Sequence, residues 1–198
     1  MAALAEPVTI LALGDSLTAG YGLPQDEGLV PTLERWLTEA GEDVVLVNAG
    51  VSGDTTAGGL SRLDWSLTDE VDAVIVALGG NDLLRGLPPE AARRNLDQIL
   101  DIVDRRGLPA MLVGLEAPGN YGPDYKASFD AIYPDLAYEH DALLFPNFFA
   151  GIAEGDRMDE TIQRFMQPDG IHPNAEGVEK IVAVMGPTVR DLIDEAEE

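Results

Sequence analysis

The chain holds two histidines, and one of them, His172, stands in the pentapeptide Asp169-Gly170-Ile171-His172-Pro173. Acyl transfer by a hydroxyl nucleophile needs an imidazole to take the hydroxyl proton and a carboxylate to orient that imidazole. A three-residue step, in a loop punctuated by Gly170 and Pro173, lets Asp169 fold back onto one ring nitrogen while the other faces outwards. The hydroxyl is supplied by Ser16, in Gly14-Asp15-Ser16-Leu17, directly after the apolar run 8–13. Ser16 therefore falls where a first buried strand ends and the chain turns into a helix. Such a site also needs donors for the oxyanion that forms on the attacked carbonyl. Gly53, the Ser16 N–H and the Asn81 side-chain amide are the candidates, because glycine turns admit close backbone approach and an amide donates without carrying charge.

Each of these residues has a plainer use. A lone serine after a strand is more often a turn or cap residue, but the Asp169–His172 pair and the glycine turns argue for Ser16 as a nucleophile. Ser52 and Ser61 lack a comparable strand-end setting. His140, at the end of a predicted helix, reads as a C-terminal capping group. Asp15, Asp54 and Asp82 read as loop braces. Asp15, Asp82 and Asp169 near one sheet edge also allow a carboxylate-bound Mg²⁺ for phosphoryl chemistry, or a receiver-like acidic pocket. Neither alternative uses Ser16, Asp169 and His172 together. No cofactor is expected.

The elements that must position these groups alternate. Apolar runs of strand length recur at 8–13, 44–47, 73–78, 110–115 and 142–145, nearly continuous in character, as in strands covered on both faces. Helical spacing marks 29–40, 90–106, 125–140, where Pro134 should disturb the helix, and 175–196, where Gly186-Pro187 could kink it. This order predicts a single α/β domain over 1–198 with a central, mostly parallel five-stranded sheet between helices. The loops carrying Ser16, Gly53, Asn81 and residues 118–122 then share one sheet edge, beyond the carboxyl ends of the strands, where such sheets bind ligands.

Charge and composition narrow the partners. With 36 acidic residues against 12 basic ones, the net charge of −24 repels nucleic acid and anionic membranes. No apolar run reaches the ~20 residues of a membrane span, so stable membrane insertion is not expected. The absence of cysteine removes disulfides and thiolate chemistry. Ala3-Leu4-Ala5 before Glu6-Pro7 is similar to the small-residue end of an export signal, making residues 1–6 its flexible remnant and the expected location periplasmic or secreted, with the cytoplasm as the alternative.

Four blocks in order, Gly14-Asp15-Ser16-Leu17, the segment around Gly53, Gly79-Gly80-Asn81-Asp82 and Asp169-Gly170-Ile171-His172, resemble those of the SGNH (GDSL) hydrolase superfamily. The likeness extends through residues 48–56 and Asn120-Tyr121-Gly122, and is nearest the bacterial arylesterase and thioesterase/lysophospholipase branch. The resemblance implies a flavodoxin-like three-layer α/β/α fold. It also implies Ser16 as nucleophile, His172 as base, Asp169 as its orienter, and Ser16, Gly53 and Asn81 as the oxyanion hole. The implied substrate is a small-molecule ester, with fatty acyl thioesters, lysophospholipids and acetylated carbohydrates as alternatives within the superfamily. The apolar stretch 83–89, with Leu84 and Leu87, would form one wall of an acyl pocket; Leu17, Tyr21, Pro118 and Tyr121 would form the other. Glu116 stands where an arginine would be expected in that branch, which disfavours anionic substrates.

Overall fold

In a parallel strand, successive side chains leave on opposite faces, and here that alternation divides the core in two. The computed structural model describes residues 6–152 and 164–198. Five strands, β1 (Val8–Gly14), β2 (Val44–Gly50), β3 (Ala73–Ala77), β4 (Ala110–Val113) and β5 (Leu143–Phe145), form one sheet in the order β2-β1-β3-β4-β5. Every pairing is parallel, so the sheet is parallel throughout. Ile10, Ala12, Ile75, Met111 and Val113 pack towards α2 (Leu29–Ala40) and the C-terminal helix α8 (Ala175–Glu197). Leu11, Leu13, Val74, Val76 and Leu112 pack towards α3 (Thr56–Ser66), α5 (Pro89–Arg106), α6 (Pro123–Asp130) and α7 (Ile132–Glu139). The result is the expected three-layer α/β/α architecture. The short helices α1 (Ser16–Ala19) and α4 (Gly80–Leu84) follow β1 and β3. Because β2 and β3 flank β1, the winding reverses there, and the crevice between the carboxyl ends of β1 and β3 is a topological switch point.

Several expectations are corrected. Strand β2 runs on to Gly50, beyond the apolar run, because its register with β1 continues to Gly14 opposite Gly50. It is not covered on both faces: Val45 and Val47 are 43% and 40% exposed, since β2 is an edge strand lying outside the α3–α5 layer. The predicted helix 125–140 is two helices that meet at Ala131. Pro134 falls in the first turn of α7, where its missing N–H costs no helical bond. By contrast, α8 runs through Gly186-Pro187 as one helix, and Gly186 leaves room for the Trp36 ring, which a Cβ would strike. Helix α3 was not legible as a helix, since two glycines dilute its apolar stripe. Its start is marked by Thr55, whose side chain accepts from the Gly58 N–H. Residues 83–89 are not one loop, because Leu83 and Leu84 close α4 and Pro89 opens α5. Ala3-Leu4-Ala5 lies outside the described residues. No helix among the described residues is long and apolar enough to cross a membrane.

Candidate active site

The turn after β1 is built to expose Ser16. A Cβ on Gly14 would collide with the Thr18 side chain, so the strand can run into α1 only with glycine there. Asp15 caps α1 by accepting from the Leu17 N–H at 3.0 Å, and it also accepts from Asn81 Nδ2 at 3.3 Å. The Asp15 carboxyl is only 2% exposed, and burial pushes its pKa up against the hydrogen bonds that favour its charge. Ser16 follows as the first residue of α1, with its N–H at the positive end of that turn.

His172 arrives from the other end of the chain. Its Nε2 lies 2.9 Å from Ser16 Oγ and its Nδ1 2.7 Å from Asp169 Oδ2. A carboxylate can only accept, so Nδ1 carries the proton and Nε2 is left as an acceptor for the serine hydroxyl. Asp169 Oδ1 accepts from the backbone N–H groups of Ile171 and His172 at 2.9 and 3.0 Å. Burial opposes ionisation of Asp169, but the ring of His172 and these two N–H groups outweigh it and hold the carboxyl down to about 2. The carboxylate therefore stays charged at any pH where the imidazole can act as a base. Its contribution to stability is present above the ordinary carboxylate range near ~4 and is lost as pH falls towards about 2.

The oxyanion candidates sit on two further turns. Gly79 has φ 118°, and the buried Tyr133 hydroxyl occupies the space where a Cβ would go while donating to the Leu78 carbonyl at 3.1 Å. This turn starts α4 and brings Asn81 against Asp15. Gly53 has φ 86°, a left-handed conformation that favours glycine. Its loop is tied to the end of β1 by Val51 N–H donating to the Gly14 carbonyl at 3.0 Å. Arg85 Nη2 ties the loop to α4 by donating to the Gly53 carbonyl at 2.8 Å. The Gly53 N–H has no acceptor among the described residues. Asp82 accepts from Thr56 N–H and Oγ1 at 2.8 and 2.7 Å, as a brace should. Asp54 instead pairs with the Arg62 side chain at 2.6 Å, and Arg62 also reaches the Gly14 carbonyl.

A model of the GDSL-like lipase/acylhydrolase family matches residues 12–180. The chain belongs to that family. Esterase TesA of Pseudomonas aeruginosa is 37% identical over 186 residues, covering 93% of this chain and 89% of that protein. The Escherichia coli K12 protein named thioesterase 1/protease 1/lysophospholipase L1 is 37% identical over 190 residues, covering 94% and 85%. The crystal structure of AlinE4, described as an SGNH-hydrolase family esterase, superposes with a TM-score of 0.76 at 44% identity, covering 96% of this chain and 98% of that one. This GDSL-type protein is an ester-hydrolysing serine hydrolase.

In this GDSL hydrolase, Ser16 and Asn81 open onto a cavity of about 550 Å³. Its apolar walls include Leu17, Leu83, Leu84, Leu115, Phe149 and Met166, with Pro118 at one side. Of the residues expected around the acyl group, Leu17, Leu84 and Pro118 line this cavity, whereas Tyr21, Leu87 and Tyr121 do not, nor does Gly53. The Tyr21 ring lies over His172, with centroids 4.7 Å apart. The Leu87 carbonyl accepts from Tyr125, and the Tyr121 hydroxyl donates to the Leu84 carbonyl. Glu116 does line the cavity and accepts from Asn147 Nδ2 at 3.4 Å.

Ser61 donates to the Gly58 carbonyl within its own helix, and Ser52 is exposed and makes no side-chain hydrogen bond among the described residues. His140 is the C-cap residue of α7, but its ring reaches across to α5, with Nδ1 2.6 Å from Asp104 and Nε2 3.0 Å from Asp97. Sequence reasoning missed Tyr133, Arg85 and Gln167 as supports of the site. Each joins segments far apart in the chain, so no local pattern announces it.

Proposed function

We propose that the enzyme hydrolyses small, mostly uncharged carboxylic esters, of the aryl or short-to-medium acyl kind, through an acyl-enzyme on Ser16. The observation that carries this is the Asp169–His172–Ser16 chain of hydrogen bonds at 2.7 and 2.9 Å, opening onto an apolar cavity. As His172 Nε2 takes the hydroxyl proton, Ser16 Oγ attacks the ester carbonyl carbon and the carbonyl electron pair moves onto oxygen. The Ser16 and Gly53 N–H groups and Asn81 Nδ2 receive that oxyanion. Collapse expels the alcohol, which takes the proton from His172. Water then repeats the sequence on the acyl group and frees Ser16.

Asn81 contributes only as charge develops. Asn81→Ala should lower kcat by on the order of 10²- to 10³-fold with KM little changed, measured on a p-nitrophenyl ester. A KM defect at normal kcat would make Asn81 a substrate-binding group instead.

The E. coli relative's name includes thioesterase, and hydrolysis of fatty acyl thioesters is the second reading. Glu116 on the cavity and the net charge of −24 weigh against anionic acyl-CoA, since like charge lowers both encounter rate and binding. At low salt, kcat/KM for acyl-CoA should fall below that for a neutral ester of the same acyl length. The gap should narrow near physiological ionic strength, where screening shortens the repulsion to ~8 Å. Glu116→Arg should raise kcat/KM for acyl-CoA more than for the neutral ester. Equal efficiency on both substrates at low salt would remove the preference for uncharged esters.

A further inference from the structure

The imidazole of His172 approaches Ser16 from a loop about 150 residues away in sequence, and a hydrogen bond between two side chains cannot by itself hold those segments in register. A second route joins them through the backbone. The Tyr21 N–H donates to the Ser16 carbonyl at 3.1 Å. The Tyr21 carbonyl accepts from Gln167 Nε2 at 2.7 Å, and the same amide group donates to the Pro173 carbonyl at 3.0 Å. The Gln167 N–H donates to the His172 carbonyl at 2.7 Å. With the Ser16–His172 side-chain bond, these contacts close a ring running from the nucleophile through Tyr21 and Gln167 to the base and back. Local geometry is fitted to it. Gly20 and Gly22 have φ 79° and 76°, which turn the chain sharply on both sides of Tyr21, and a Cβ on Gly22 would collide with the Gln167 carboxamide. The turn lays the Tyr21 ring over the imidazole at 4.7 Å between centroids and 39° between planes.

Exposure separates this from ordinary packing. Tyr21 is 54% exposed, too open to be serving the core, while the His172 side chain beneath it is 14% exposed. The part of Tyr21 that meets His172 is its ring, and its hydroxyl has no hydrogen-bond partner among the described residues. We propose that Tyr21 and Gln167 are positioning residues that clamp the His172 imidazole against Ser16. Gln167 ties the two segments, and the Tyr21 ring blocks rotation of the imidazole and covers the face of the imidazolium formed in each proton transfer. Gln167 fits because both of its partners are carbonyls. A glutamate of the same shape has no hydrogens to offer them, and asparagine is one methylene short.

This inference rests on the ester-hydrolase reading of Ser16, so the test pairs kinetics with a signal that needs no turnover. Steady-state rates on a neutral p-nitrophenyl ester would be measured for Tyr21→Phe, Tyr21→Ala and Gln167→Glu. The low-field NMR resonance of the His172 Nδ1–H proton would be recorded on the same proteins. Tyr21→Phe should keep kcat within about twofold, whereas Tyr21→Ala and Gln167→Glu should lose on the order of 10- to 100-fold in kcat with KM within about twofold. The proton signal should persist in the parent and Tyr21→Phe and vanish by exchange with water in the other two. Tyr21→Leu replaces Tyr21→Ala if the latter does not fold. Unchanged kcat in Tyr21→Ala, equal losses in the Phe and Ala variants, or a defect confined to KM would overturn the clamp. A parent that shows the signal, loses it in Tyr21→Ala, and yet turns over no ester would contradict the esterase reading and leave the clamp standing.

Discussion

Ser16→Ala should lower kcat on p-nitrophenyl esters by on the order of 10⁴- to 10⁶-fold while leaving the protein folded. The size follows from what the substitution removes. Without Oγ no acyl-enzyme forms, and His172 loses the proton it is placed to accept at 2.9 Å. What remains is the oxyanion hole and substrate binding, which act on a water that nothing positions. Stability should change little, because Ser16 is half-buried and its N–H, which caps nothing, is unaffected. EDTA should leave the parent's activity intact. The three carboxylates of the metal alternative are otherwise engaged: Asp15 by Leu17 and Asn81, Asp82 by Thr56, and Asp169 by His172 and Ile171. Recovery of EDTA-treated protein by Mg²⁺ would revive the phosphohydrolase alternative.

His172→Ala should be comparably damaging, and His140→Ala should retain most of its turnover. The two histidines are similar in one respect, since each has both ring nitrogens engaged. His172 offers one nitrogen to a hydroxyl, whereas His140 faces carboxylates on both sides, which requires both of its nitrogens to donate and hence the ring to be protonated. Burial disfavours that charge, but the hydrogen bonds to Asp104 and Asp97 outweigh it and raise the His140 pKa. A raised folded value means that the tie between α7 and α5 contributes fully below the free histidine range near ~6.5 and is lost as pH rises through the folded value. His140→Ala should therefore lower Tm at mildly acid pH and lower it less at alkaline pH, with activity largely spared. Equal loss of turnover from the two substitutions would contradict the assignment.

The residues proposed to carry the chemistry were legible because their spacing is local. Asp169 and His172 are three positions apart, and Ser16 directly follows an apolar run. The alternation of runs and helical stripes gave the layers, and the strand ends gave the shared edge. Elements whose pattern is diluted or set by a neighbour escaped. Helix α3 carries two glycines, one of them fitted against Leu78. The full length of β2 comes from its register with β1 rather than from its own apolar residues. Within the candidate site, Tyr21 lies beside His172 rather than along the cavity. Its aromatic type suggested a pocket wall, whereas Gly20 and Gly22 turn it onto the imidazole. Tyr133 falls within the predicted helical stretch 125–140, but its hydroxyl contact beneath Gly79 depends on how α7 packs near the end of β3.

Ser16, as the nucleophile made reactive by His172, should be the residue that a serine-directed electrophile modifies. Labelling with a fluorophosphonate probe, followed by mass mapping of the modified peptide, tests it without any assumption about the natural ester. One covalent adduct is expected on Ser16 of the parent, none on Ser16→Ala, and strongly slowed labelling of His172→Ala. An adduct on another residue, or undiminished labelling of Ser16→Ala, would contradict it.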